Sequence, residues 1–360
     1  MSRLGSFVRE INKQIKVFCF LYRREGFHAI HSFGDYLPLY HEKKLKIEEF
    51  IDYAEVLKNE KFRDSFLSRL ESNDYLHLLN PNRYASLARD KYLTHLLLER
   101  NGIPTPELYA YFNPEKSGAS FSAVLHDLQI KRVSSCVVKP AVDGAHGKGV
   151  FVCKGIDYES DDCILIKSND ERISLRSFCE QNKYSSWLFE SRVVQSSQMA
   201  CINPSSVNTI RLMTALYPDG SVKVFAAFMK FGRAGSDIDN AGSGGNIDCG
   251  FDVDTGTCYN TIQFNSFSDI IECDRHPDSG IQINGMRLEN WDSVKEKICE
   301  YQARVPELKA IGWDVALTDD GPVIIEINNW WDTTGQLFIG KGWREDVRDC
   351  FFAWKKHYSL

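Results

Sequence analysis

Between residues 107 and 328 the chain runs as short β-rich segments broken by tight-turn signals, and this succession limits the available folds more than any other feature. Val207 to Tyr217 and Ser221 to Phe231 flank Pro218-Asp219-Gly220, Phe251 to Asp254 and Cys258 to Phe264 flank a Thr255-Gly256 turn, and Ile311 to Thr318 and Val323 to Asn328 flank Asp319-Asp320-Gly321. Each connection is far too short for a crossover helix, so each pair must run antiparallel. Cys136 to Lys139 and Gly149 to Cys153 flank a glycine loop, and Trp187 to Val194 is a further strand. With Trp291, Val294, Ile298, Tyr301 and Val305 marking a late helix, the pattern predicts an α+β protein with antiparallel sheets and flanking helices. A doubly wound parallel sheet does not fit.

The front of the chain reads as helix. Phe7, Val8, Ile11, Ile15, Phe18 and Tyr22 recur at helical spacing over Ser6 to Arg24. The first 24 residues carry Arg3, Arg9, Lys13, Lys16, Arg23 and Arg24 against Glu10 alone, a local balance of +5 in a chain of net charge −6. A basic amphipathic helix over residues 6–24 can dock on the protein's own core or make peripheral contact with an anionic membrane surface. A second helical region is expected from Ile47 to Leu79, with turns near Glu60 and Ser72. A third begins near Arg83, with Leu93, Leu96 and Leu97 on one face, Gly102 as terminator, and Pro104 and Pro106 blocking resumption.

Composition removes several classes of function. No apolar run approaches the ~18 residues of a spanning helix, and the start lacks the pattern of a signal peptide, so a cytoplasmic protein is expected. The 11 cysteines are odd in number and contain no C-x-x-C pair, which argues against a disulfide framework and a structural zinc site. The mild acidity argues against nucleic acid as a partner.

Three stretches carry chemistry. In Val138-Lys139-Pro140-Ala141-Val142-Asp143-Gly144-Ala145-His146-Gly147-Lys148-Gly149-Val150, glycines allow backbone N–H groups to approach a polyphosphate and the lysines add charge. Gly149 stands where a Walker loop needs Ser or Thr, and a strand rather than a helix follows, so the loop reads as a flap over a nucleotide. In the last hairpin, alternation puts Glu326 and Asn328 on one face, and a three-residue connection centred on Asp320 would set Asp314 opposite Glu326. Two carboxylates and an amide converging in apolar strands suit Mg2+, which keeps waters and shares phosphate oxygens. In Asn208-Thr209-Ile210-Arg211, an arginine inside an apolar strand either pairs with a carboxylate of that metal site or reaches the transferring phosphate and an oxyanion. Lys230 on the partner strand is a second phosphate candidate.

A lysine before a glycine flap, followed far downstream by Asp and then Glu-x-Asn on a hairpin, resembles the ATP-grasp superfamily. In particular the chain resembles the sugar-transfer-associated ATP-grasp proteins, relatives of the D-alanine:D-alanine and glutamate ligases, over about residues 84–345. The resemblance implies that Lys91 contacts phosphate, that Lys139 reaches the α- and β-phosphates of ATP, and that Gly144, His146, Gly147, Lys148 and Gly149 form the flap. It implies that Phe189-Glu190-Ser191-Arg192-Val193 joins two lobes and holds adenine through its backbone and the Glu190 side chain. Asn208, Asp239-Asn240 with Gly244-Gly245-Asn246, and His276-Pro277-Asp278-Ser279-Gly280 match the subgroup, which implies substrate-binding roles for Asn208, Asn246 and His276. Asp314, Glu326 and Asn328 match the Mg2+ ligands.

The chain departs from the ligase pattern at two places. Gln195 or Ser197 occupies the region of the acid that grips ribose in ligases, and Asn329-Trp330-Trp331-Asp332-Thr333-Thr334-Gly335 replaces a small residue, proline and glycine. That loop is expected to shape the acceptor pocket, with Trp330 and Trp331 either stacking on a flat or sugar-like ligand or packing inward. The expected organisation is a helical region at 1–82, a flap-bearing lobe at 83–194, a lobe with metal and acceptor sites at 195–345 and a closing helix at 346–360. The implied activity is ATP-dependent carboxylate–amine ligation of small molecules, with Arg211 and Lys230 as catalytic groups and a place in surface-polysaccharide or specialised-metabolite assembly. An ATP-grasp kinase acting on a hydroxyl and a non-catalytic nucleotide-binding partner protein are the alternatives.

Overall fold

The computed structural model describes residues 3–142, 149–237, 239 and 245–359, with side chains from Glu10 onward. The flap positions Gly144, His146, Gly147 and Lys148, together with Asn240, Gly244 and the Phe7 and Val8 side chains, lie outside the described residues.

Two antiparallel sheets carry the structure. The first contains β1 (Leu108–Phe112), β2 (Cys136–Pro140), β3 (Phe151–Tyr158), β4 (Cys163–Lys167), β5 (Arg172–Ser174) and β6 (Trp187–Glu190), in the order β1-β6-β2-β3-β4-β5. The second contains β7 (Thr209–Leu216), β8 (Val222–Phe231), β9 (Ile247–Asp252), β10 (Thr257–Ser266), β11 (Asp269–Glu272), β12 (Ala310–Thr318) and β13 (Gly321–Asn328), in the order β11-β10-β9-β8-β7-β12-β13. The turn signals therefore act as hairpins, and β7–β8 and β12–β13 form as the sequence predicts.

One face of the second sheet is mostly apolar, with Thr214 paired to Gln302 of the covering helix inside it. Ile210, Leu212, Met229, Trp313 and Val315 pack there against Trp291, Val294 and Ile298 of helix Trp291–Ala303. The opposite face is divided. At one end Met213 and Phe225 lie under Leu76 and Leu79 of helix Arg69–Leu79 and Val347 of helix Arg344–His357, and Phe228 lies under Phe62 and Phe66. At the other end the same face carries charge. This division positions the site.

Several local expectations are corrected. A helix, Ala29–Lys43, occupies a stretch to which the sequence assigned none. Gly34 and Pro38 oppose helix by propensity, and burial of Tyr36 and Leu39 overrides them. The break expected near Ser72 falls at residues 66–68, because the Ser68 hydroxyl accepts from Glu71 N and starts helix Arg69–Leu79 before Ser72. In helix Lys91–Arg100, capped by Asp90, the buried positions are Thr94, His95 and Leu98, whereas Leu93 and Leu96 are exposed. The closing helix begins at Arg344.

The register of the last hairpin is right for a different reason. Thr318 pairs with Gly321, so Asp319 and Asp320 form a two-residue turn, and Ala316 pairs with Val323. An irregularity beyond Val315–Ile324 then skips Ile325 and brings Asp314 opposite Glu326. The extra residue is a β-bulge, not a longer turn. Its partners are visible: Ile324 N donates to Pro104 O at 2.8 Å, and Thr105 Oγ1 donates to Ile324 O at 3.0 Å. The Pro-rich segment after Gly102 thus seals the outer edge of β13.

Candidate active site

The charged end of the second sheet is a ladder laid across five strands. Asp248 on β9 pairs with Lys230 on β8, and Lys230 pairs with Thr209 on β7. Two residues along, Arg211 on β7 pairs with Asp314 on β12, and Asp314 with Glu326 on β13. Directly opposed residues in an antiparallel sheet share a face, so these side chains form one surface.

Asp314 is the hub. Arg211 donates from Nε to Oδ1 and from Nη2 to Oδ2, both at 2.7 Å, and Lys230 Nζ donates to Oδ1 at 3.0 Å. Burial opposes the Asp314 charge, but Arg211 and Lys230 outweigh it and hold the carboxyl well below the usual range. Burial likewise opposes the Lys230 charge, and Asp314 with Asp239 more than offsets it, so its pKa is raised. Lys230 is a buried member of the ladder rather than an edge lysine. Arg211 spends Nε and Nη2 on Asp314, while Nη1 makes no hydrogen bond among the described residues.

The first sheet delivers its own lysine to this ladder. Lys139 Nζ lies 2.7 Å from Glu190 Oε2 and 3.5 Å from the carbonyl oxygen of bulged Ile325, bridging β2, β6 and β13. Lys91 Nζ lies 3.3 Å from Glu326 Oε1, and its backbone N–H donates to Ala141 O at 2.7 Å, fixing the helix start beside the end of β2. Lys91, Lys139, Glu190, Arg211, Lys230, Asp314 and Glu326, drawn from both sheets, are thereby brought together. Val193 is half-buried in the connection from β6 to helix Ser197–Ile202. Gly149 at φ +83° sits where an added Cβ would meet Pro140 Cγ at 3.1 Å and Trp187 at 3.3 Å, so the return from the flap requires glycine.

Asp314, Glu326 and Asn328 are a hard-donor set of the kind that would suit magnesium, with both Asp314 oxygens held by Arg211 and Lys230. Two carboxylates face each other across β12 and β13, and Asn328 adds an amide whose Nδ2 lies 3.4 Å from Asp314 Oδ2. No group of three or more His, Cys, Asp or Glu able to hold a metal occurs among the described residues. A pair of acids with one amide is too few for an all-protein cage and suits an ion that shares phosphate oxygens.

Five expected substrate contacts are corrected or narrowed. Asn208 is fully buried: its Nδ2 donates to Gln195 Oε1, Met199 O and Asn203 O at 2.9–3.0 Å, and its Oδ1 accepts from Gly232 N, so it staples the loop before β7 and cannot reach a ligand. His276 is also buried, with Nε2 against Gly232 O at 2.8 Å and Nδ1 accepting from Asp278 N, leaving neither ring nitrogen for substrate. Trp331 packs in the core with Phe225 and Trp343. Trp330 is half-buried, edge-on to His77 at 4.8 Å. Asn246 is fully buried.

Sequence reasoning missed three residues. Asp248 is fully buried with no hydrogen bond to either carboxylate oxygen among the described residues, and burial raises its pKa well above the ordinary value. Its signal, an acid inside the apolar strand Ile247–Asp252, is the one that found Arg211. Asn80 and Glu49 come from the helical front and hold the loop that follows β13. Asn80 Nδ2 donates to Ala310 O at 2.6 Å and Asn329 O at 2.7 Å, and its Oδ1 accepts from Lys309 N and Ala310 N. Glu49 accepts from Arg69 N at 3.0 Å and from Thr333 Oγ1 at 3.2 Å.

Known proteins bear on this arrangement. The model of the family described as sugar-transfer associated ATP-grasp matches residues 70–350. No curated protein matches the sequence. Among solved structures, the chain is similar to the ATP-grasp ligase PsnB complexed with minimal precursor, at 15% identity and TM-score 0.41 over 76% of this chain and 62% of that one. It is similar to N5-carboxyaminoimidazole ribonucleotide synthetase from Thermotoga maritima, at 14% and 0.41 over 76% and 52%. It is also similar to D-alanine--D-alanine ligase from Bacillus anthracis complexed with ATP, at 14% and 0.39 over 76% and 68%. The chain spans about half to two thirds of the length of these proteins.

Proposed function

This chain belongs to the sugar-transfer associated ATP-grasp family, and from that premise we propose that it is an ATP-dependent ligase joining a small-molecule carboxylate to an amine. The observation that carries the reading is the meeting of Lys91 and Lys139 with the Arg211–Asp314–Glu326 ladder, which gathers cationic donors and hard oxygen ligands in one place. Such a set can do little covalent chemistry of its own. It suits phosphoryl transfer, where positioning and charge stabilisation do most of the work.

In the first step a substrate carboxylate oxygen attacks the γ-phosphorus of ATP; the β–γ bridging P–O bond breaks and ADP leaves. In the second, the amine nitrogen attacks the carbonyl carbon of the acylphosphate, the C–O bond to phosphate breaks, and the amine proton leaves with phosphate or water. Lys91 and Lys139 hold phosphate oxygens. Glu190 holds Lys139 against the end of β6, where Val193 and the connecting backbone border the adenine. Asp314, Glu326 and Asn328 would hold Mg2+, which when bound neutralises charge on the phosphates. Arg211 Nη1, which makes no hydrogen bond among the described residues, addresses the substrate carboxylate and the oxyanion formed from it. Lys230 keeps Asp314 and Arg211 in register. The family description supports placing the amide product in polysaccharide or specialised-metabolite assembly.

The test is incubation of the protein with Mg·ATP, candidate carboxylic acids and hydroxylamine. A hydroxamate formed only with ATP and a matching acid is the expected result, and Glu326→Gln abolishes it. ADP release with a stable phosphorylated hydroxyl product and no hydroxamate overturns the ligase reading in favour of a kinase. Failure of Mg·ATP to raise Tm overturns both in favour of a non-catalytic role.

A further inference from the structure

We propose that the N-terminal helix docks this protein on an anionic lipid bilayer. The helix Arg3–Glu25 precedes the family-matched segment, and it is amphipathic on two neighbouring faces rather than one. Val17 and Leu21 are buried against Ala29 and Tyr36 of the next helix, which accounts for docking on the protein's own fold. Ile11, Ile15 and Tyr22, at i, i+4 and i+11, form a second stripe turned away from that contact, and half-buried Phe18, edge-on to Phe33 of the next helix at 5.5 Å, lies between the two faces. Ile11 is 43% exposed, Ile15 54% and Tyr22 46%. The stripe continues past the helix end, where the Phe27 ring, 79% exposed, meets Tyr22 edge-on at 5.9 Å.

What flanks this stripe selects the partner. At 100° per residue, Lys16 and Arg23 fall on the side of the stripe opposite Val17 and Leu21, and both are exposed. Around the helix the order is therefore protein-facing residues, exposed apolar residues, then cations, with Phe20, 48% exposed, standing among the cations. An interfacial helix shows this order when its apolar sector enters the acyl boundary and its cations meet anionic headgroups. The first 24 residues carry +5 although the chain carries −6, so the attraction is local and orients the molecule. A second copy is disfavoured as occupant because it would bring two +5 segments together. No helix among the described residues is long and apolar enough to cross a membrane, so the contact is peripheral.

The full chain is sedimented with vesicles of phosphatidylcholine, with or without phosphatidylserine at about 30%, at low salt and at about 0.5 M NaCl. The expected result is binding at least about ten-fold stronger to the anionic vesicles, lost at high salt. The double variants Ile11→Ser/Ile15→Ser and Lys16→Glu/Arg23→Glu each lose about ten-fold or more, with circular dichroism and the Mg·ATP thermal shift unchanged. Equal sedimentation of the Ile11→Ser/Ile15→Ser variant and the parent, or no sedimentation of the parent, overturns the proposal. So does a dimer in light scattering that this variant dissociates while lipid binding is absent, which would assign the stripe to a second copy.

Discussion

Replacing Glu49 with glutamine should remove most of the pH dependence of stability that the helical front imposes on the loop after β13. Glu49 is 2% exposed, and burial raises its carboxyl from the ordinary 4.5 to about 7 despite hydrogen bonds from Arg69 N and Thr333. The folded state thus keeps a proton that the unfolded chain gives up above pH 4.5. The stabilisation from the protonated carboxyl is fully present below the unfolded value and is lost as pH rises through the folded one. A displacement of that size corresponds to about 3 kcal/mol, lost between roughly pH 4.5 and 7. Glutamine reproduces the protonated form: its oxygen can accept from Arg69 N and its amide can donate to Thr333 Oγ1. Urea unfolding of Glu49→Gln and the parent at pH 5 and pH 8, followed by tryptophan fluorescence, isolates this group from other titrations. The parent should lose about 3 kcal/mol more than the variant between the two conditions. Parallel losses would refute the reasoning, because they would mean that Glu49 ionises in the fold as it does in water.

Other perturbations report on separate contacts. Asn80→Ala strips four hydrogen bonds from the start of β12 and from Asn329, and should cost about 2–5 kcal/mol in denaturant unfolding, with weaker binding of Mg·ATP because Asn328 is the next residue; a cost below about 1 kcal/mol would contradict the clamp. Asp314→Asn leaves Arg211 and Lys230 without their shared anion and should cost about 3–5 kcal/mol, read as a lower Tm without nucleotide. Gly149→Val places a Cβ against Pro140 and Trp187 at φ +83° and should lower stability by about 1–3 kcal/mol; an unchanged Tm would show that the return from the flap tolerates side chains. His276→Ala should reduce Tm while leaving the KM for both substrates unchanged, since both ring nitrogens serve the fold, and a selective rise in one KM would restore it as a substrate contact.

The candidate site was legible wherever its signal was local. Arg211, Asp314 and Glu326 each interrupt an apolar strand, and alternation alone assigns such residues to one face. Asp248 carried the same signal and went unread. Asn208 and His276 matched a motif, but matching fixes only identity. Whether an amide or imidazole faces a ligand depends on what lies around it, and here Gln195, Asn203 and Gly232 take up their hydrogen bonds.

The sequence by itself determined the antiparallel hairpins, much of the helical front and the alternating faces, because each depends on residues within a few positions of one another. Only the tertiary structure decided that a bulge at Ile325 sets the register of the Asp314–Glu326 pair, since the bulge is held by Pro104 and Thr105, far away in the chain. Only it joined Arg211 to Asp314, 103 residues apart, and Glu49 to Thr333, 284 apart, tying the helical front to the loop after β13. It also sent Trp331 into the core and left Ile11 and Ile15 outside it. Local periodicity fixes which way a side chain points relative to its own strand or helix. Packing of distant segments fixes what it meets there, and therefore whether it holds the fold, a ligand or a surface.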